Sequence, residues 1–173
     1  MTKAELAKQI RAVSYLTGEF TLRSGLVSNF YWDKYRFESN PILLAEIAKE
    51  MVKLLPKEFD GLAGLELGGI PLVTAISLQT SSSCFYVRKE AKPYGTCNLI
   101  EGGVKEKSTL VVIEDVITTA GQVCRSIEQI REEGHTVEHV VAVIDRQAGG
   151  EEKINAYGCT LASVFTLAEL EVV

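Results

Sequence analysis

Apolar residues recur along this chain first at a helical period and later in unbroken runs. Between residues 2 and 16, Leu6, Ile10 and Val13 share one helical face, and Thr2 stands three residues before Glu5 as a capping box requires. A first helix is therefore predicted there, stopped by Gly18. The following "EFTLRSGLVSNFYWDKYRF" alternates β-formers with turn residues around Ser24 and Gly25, the pattern of a hairpin or extended ribbon. Asn40 and Pro41 supply a cap and a first helical residue, so a second helix should run to about Leu55, just before Pro56.

Beyond residue 60 the pattern becomes strand, loop, helix. "GLAGLEL" reads as a buried strand, "GGIP" as a turn and "LVTAISLQT" as a helix. "CFYV" and "TLVVIEDV" are two further strands, "QVCRSIEQIREEG" is a helix ended by Gly134, and "VEHVVAVID" and "CTLASVFT" are the last strands. Strands apolar throughout and alternating with helices imply an α/β fold whose mainly parallel sheet is covered on both faces. In such a sheet ligands bind beyond the carboxyl ends of the strands, which points to the loops after Leu67, Val87, Val116 and Asp145. There is no internal repeat and no linker, so residues 1–173 read as one domain.

Composition narrows the function. The net charge is −5, from 18 basic and 23 acidic residues, and the basic residues are scattered apart from a group at 88–92, which argues against a nucleic-acid partner. The N-terminal "MTKAELAKQIRAV" lacks the apolar core of a signal peptide, and runs such as "VVAVI" are far too short for a membrane span, so the expected compartment is the cytoplasm. Cys84, Cys97, Cys124 and Cys159 are widely separated and only two histidines accompany them, which disfavours a zinc site and suits reduced thiols.

The chemistry concentrates in "TLVVIEDVITTAGQ", where an apolar strand runs into Glu114 and Asp115 and then into small residues whose backbone N–H groups can converge on a phosphate at the start of a helix. No Walker A or GxGxxG pattern is present; the nearest decoy, "GGVKEKST" at 102–109, lacks the second glycine before Lys107 and precedes a strand. Two carboxylates beside a phosphate either end a strand in solvent, or address sugar hydroxyls or a metal ion on the same ligand. A phosphorylated sugar meets both demands. Arg88, Lys89 and Lys92 put three cations into five residues after another strand, either as a solvated loop or as an anion contact. Gly68 and Gly69 make either a plain turn or a close backbone approach to an anion.

"VVIEDVITTAGQ" resembles the phosphoribosyl-pyrophosphate (PRPP) motif of the type I phosphoribosyltransferases, and most closely that of the orotate phosphoribosyltransferases. The resemblance runs from about residue 18 to 150 and implies the type I fold with a small N-terminal hood within residues 1–40. It also implies that Glu114 and Asp115 hold the ribose hydroxyls while Val116, Ile117, Thr118, Thr119, Ala120, Gly121 and Gln122 hold the 5-phosphate. "RKEAK" matches the family's mobile catalytic loop, so Arg88, Lys89 and Lys92 would engage pyrophosphate, with Lys92 and Asp115 catalytic; Tyr94 stands where many relatives have histidine. Gly68 and Gly69 fall on the pyrophosphate loop, Gly68 where some relatives carry lysine. "FTLRSGLVSNFYWD" resembles the hood, placing Arg23, Tyr31 and Trp32 over the base, and "DRQ" gives Arg146, together with Thr118, to orotate.

The implied reaction joins N1 of orotate to C1 of PRPP, giving orotidine 5-phosphate and pyrophosphate in the de novo pathway to UMP. It uses Mg²⁺ bound mainly through substrate near Glu114 and Asp115, and a homodimer with shared active sites. The rival expectations are an enzyme of the same fold acting on another base and a non-catalytic PRPP-sensing regulator. Arg146 and the hood argue against the first. The acidic balance argues against the second.

Overall fold

The computed structural model describes residues 1–21, 25–91 and 98–173. Helix α1 (Lys3–Ser14) opens with the expected capping box: Thr2 accepts from Glu5 N and Thr2 N donates to Glu5. It ends four residues before Gly18, because Tyr15 already belongs to strand β1 (Tyr15–Thr21). That strand pairs antiparallel with β2 (Val27–Trp32) in the register Tyr15 with Trp32 and Thr17 with Phe30. Aromatic contacts outweigh continued helix here: the Tyr15 ring stacks on Phe30 and meets Trp32 edge-on, both with centroids 5.5 Å apart. Gly18 sits at the irregularity in the ladder between Thr17 and Phe20.

A short helix α2 (Tyr35–Glu38), not expected from the sequence, leads to α3 (Pro41–Val52), where Asn40 caps by accepting from Ile42 N at 3.0 Å and Leu43 N at 3.2 Å. Tight turns through Leu54 and Leu55 then carry the chain to Pro56. The main sheet is built from β3 (Gly61–Leu65), β4 (Cys84–Val87), β5 (Ile100–Glu101), β6 (Thr109–Ile117), β7 (Thr136–Asp145) and β8 (Thr160–Thr166), in the order β5-β4-β3-β6-β7-β8. All neighbours are parallel except the two-residue edge strand β5, which pairs antiparallel with β4 and had no periodic signal to announce it. The connections are α4 (Gly69–Thr80), α5 (Gly121–Glu132) and α6 (Gly150–Ala156), and α7 (Leu167–Glu171) ends the chain with a second capping box from Thr166 to Glu169.

Two hydrophobic layers sandwich the sheet. On one side Leu6, Ile10, Phe37, Ile47, Leu72 and Ile76 pack with Val111, Ile113 and Val141; on the other Val123, Ile127, Ile130 and Ile154 pack with Leu110, Val112 and Val140. Strand alternation thus sends neighbouring residues of β6 to opposite layers. The "GGIP" expected as a turn is instead the start of α4. Pro71 lies in the first turn, where its missing N–H leaves no bond unmade, and Gly69 packs so closely on β6 that a Cβ would come within 2.4 Å of the Ile113 carbonyl oxygen. Gly69→Ala should therefore destabilise the protein by about 1–3 kcal/mol, read as a fall in the urea midpoint at unchanged slope, because a backbone atom has to move. An unchanged midpoint would show that this contact is slack.

Candidate active site

Where β3, β4 and β6 end, their loops enclose a cavity of about 530 Å³. Arg88 and Lys89 after β4, Glu114 within β6 and the whole run Val116–Gln122 line it, as expected. The floor of this cavity is made by the turn from β6 into α5. Ala120 adopts the left-handed conformation at φ 54° as the N-cap and offers no side-chain acceptor, so the first-turn N–H groups of α5 are left to a ligand. Strand β6 runs to Ile117, which gives the loop a rigid root: Arg146 N donates to the Ile117 carbonyl at 2.9 Å and ties it to the end of β7.

A second cavity of about 390 Å³ adjoins the first. Tyr31 and Trp32 of β2, Phe37 of α2, Ile144 and Arg146 at the end of β7, and Leu167 form its walls, and Lys34, Val116 and Thr118 belong to both cavities. The hood aromatics and the "DRQ" arginine, far apart in sequence, are thus brought to one chamber. Arg23 and Lys92 lie outside the described residues.

Two expectations change. Gly68 and Gly69 do not face the cavity; Glu66 and Leu67, joined by a cis peptide bond, take that place. Gly68 lies under the wall against Asp115, where a Cβ would come within 1.6 Å of Oδ2, so this chain has no room for the lysine some relatives carry there. Asp115, expected beside the ribose, is fully buried and lines neither cavity. The cause is alternation: Glu114 takes the cavity wall and Asp115 the layer of Val111 and Ile113, where its Oδ2 forms an ion pair with Lys34 Nζ and its Oδ1 accepts from Val116 N at 2.5 Å.

Lys34 and Glu38 were missed by motif reading. Their one sequence signal is the i, i+4 spacing of a lysine and a glutamate directly after the aromatic pair. Burial, then the charge of Asp115, pushes the Glu38 carboxyl up to about 8, and its Oε1 is buried without a hydrogen-bond partner among the described residues. Glu114 is raised well above the usual carboxylate range by the same two causes. Burial pulls the Lys34 ammonium down, but the adjoining Asp115 and Glu114 more than offset it and the net shift is upward. Three carboxyls therefore converge on one ammonium.

The Glu38 shift has a measurable sign. An unfolded chain releases this proton near 4.5, while the folded protein keeps it until about 8, so the stabilisation is complete below the lower value and is lost as pH rises through the upper one. Glu38→Gln removes the titrating group and keeps the shape. Between about pH 5 and about pH 9 the melting temperature of the wild type should fall more steeply than that of the variant. Parallel curves would place the proton elsewhere.

No protein-family model matches the sequence. The chain is 48% identical to an orotate phosphoribosyltransferase from a Nocardioides species, over 97% of its own length and 94% of that protein. The crystal structure of Mycobacterium tuberculosis orotate phosphoribosyltransferase in complex with inorganic phosphate superposes with a TM-score of 0.87 at 32% identity, covering 98% of each chain. The same enzyme in complex with 5-phospho-α-D-ribosyl 1-diphosphate superposes with a TM-score of 0.84 at 31% identity, again over 98% of each. Identity approaching half over nearly the full length, with near-complete structural alignment, settles the family: the chain belongs to the orotate phosphoribosyltransferases.

Proposed function

We propose that the two adjoining cavities divide one reaction, the larger holding PRPP and the smaller holding orotate, so that the chain acts as an orotate phosphoribosyltransferase in pyrimidine biosynthesis. The observation that carries this reading is the shared edge: Val116 and Thr118 line both chambers, so a sugar anchored by its 5-phosphate on Thr118–Gln122 presents C1 toward a base lying between Tyr31, Trp32 and Arg146. Glu114, on the wall, accepts hydrogen bonds from the ribose hydroxyls. Arg88 and Lys89 face the pyrophosphate, and Lys92 joins them. N1 of orotate gives up its proton to solvent and its electron pair forms the bond to C1, while the C1–O bond breaks and its pair leaves with pyrophosphate. Placement of the two reactants and neutralisation of the leaving charge supply the catalysis.

Mg²⁺ fits this site only as a partner of the substrate. No group of three or more His, Cys, Asp or Glu among the described residues could hold a metal, and Asp115 is already engaged by Lys34. The ion would sit near Glu114 through PRPP oxygens, where it would offset the charge of the leaving pyrophosphate. No helix among the described residues is long and apolar enough to cross a membrane. A cytoplasmic homodimer in which the Lys92 loop of each subunit serves the other's site completes the reading, supported by the family resemblance of that loop.

Pyrophosphate release assayed with orotate, uracil, adenine and hypoxanthine tests the base directly: orotate should be used and the others rejected, since Arg146 pairs with the 6-carboxylate that uracil lacks. Arg146→Ala should cost about 2–4 kcal/mol in kcat/KM for orotate, the scale of removing one partner of a close charge pair. Equal use of orotate and uracil by the wild type would overturn the assignment. For the shared site, mixing Lys92→Ala with Arg146→Ala subunits should restore activity, because one site of each heterodimer receives both intact residues. Verified subunit exchange with no recovery would refute it.

A further inference from the structure

Three residues form the edge shared by the two chambers, and only Lys34 among them is charged. We infer that Lys34 is a catalytic residue of the transfer, its ammonium stabilising the negative charge on N1 and the adjacent C2 carbonyl oxygen of the base as N1 attacks C1 of the sugar. The inference rests on the reading of the chambers given above.

The placement is built into the fold. Lys34 precedes α2 and its side chain is about one third exposed, open to both chambers on one side and ion-paired with Asp115 on the other. Asp115 is completely enclosed and pressed against Gly68, so it cannot travel to a ligand; it can only hold the ammonium in place. Lys34 and Arg146 are the cations on the wall of the smaller chamber, and the orotate carboxylate claims Arg146. When N1 has lost its proton, charge spreads over N1 and the C2 carbonyl, and a fixed cation at the chamber edge favours that form over the protonated base. The same cation lowers the proton affinity of bound N1, increasing the fraction of complexes ready to react at neutral pH.

The test compares kcat against pH for wild type, Lys34→Met and Lys34→Arg with saturating PRPP and orotate, because kcat reports ionisations of the complex. Lys34→Met should lower kcat by about 10²-fold, the loss expected for one charge-stabilising group, and should move the acid limb of the profile upward by about one pH unit. Lys34→Arg should recover most of the rate and return the limb toward its original position. Tyr35, Glu38, Glu114 and Asp115 face Lys34 from α2 and β6, and Glu38 titrates in the same range. A Glu38→Gln profile that keeps the limb assigns it to the base; a Glu38→Gln profile that loses it overturns the inference. So does a folded Lys34→Met with unchanged kcat, or one whose rate falls with no movement of the limb, which reduces Lys34 to neutralising Asp115. If Lys34→Met does not melt cooperatively, Lys34→Met with Asp115→Asn removes the buried charge too and is compared with Asp115→Asn alone, with the same fall and limb shift expected. A wild type inactive on orotate fails the functional reading itself; with an active wild type, these variants bear on Lys34 alone.

Discussion

The contact between Asp115 and Lys34 ties the scaffold to the site. A carboxylate with no solvent exposure is tolerated only if its charge is answered, and the answer comes from the residue that ends the hood and begins α2. One ion pair therefore joins β6 of the central sheet to the hood segment that carries Tyr31 and Trp32. Gly68 is forced by the same contact, since any side chain there would occupy the volume of the Asp115 carboxylate. The phosphate loop, the α4 turn and the base chamber are fixed relative to one another through a single buried group.

Much of this was legible in the residues. Unbroken apolar runs gave the parallel strands because both faces of the sheet are covered, and Asn40-Pro41 and Thr2-Glu5 fixed helix starts because capping is a local transaction. The turn after β6 was legible for the same reason: its seven residues, Val116–Gln122, are consecutive and all of them line the larger cavity. What escaped was either too short to carry a period, such as β5 and α2, or decided by tertiary contact. Gly18 ended no helix because aromatic pairing across β1 and β2 had already drawn Tyr15 into a strand.

The division of Glu114 from Asp115 shows where motif reading runs out. Adjacent residues in a motif invite a shared role, but adjacency in a strand means opposite faces. Because "EDVI" lies within β6, the two acids must part, one to the cavity wall and one to the layer containing Phe37 and Ile113. Glu38 belongs to that buried half and Lys34 reaches from it to both chambers, and no consensus of loop residues would single them out.

Three carboxyls gather around one ammonium, and burial with mutual repulsion raises two of them, Glu38 and Glu114, so that negative charge is held down beside the chamber that the proposed reading gives to anions. A site lined by cations alone would bind phosphate and pyrophosphate as strongly in the ground state as in the transition state, which lowers KM and product release without raising kcat. On the proposed reading, Glu114 on the wall of the larger chamber rewards a ligand that brings hydroxyl donors to it. The cations stand apart from it, Arg88 and Lys89 after β4 and Arg146 after β7. Lys34 is the exception, a cation held by Asp115 on the edge that the two chambers share. On the proposed division of the chambers, binding energy is thus concentrated on the one arrangement in which sugar hydroxyls, pyrophosphate and the base carboxylate are all present together, the arrangement from which the C1–N1 bond forms.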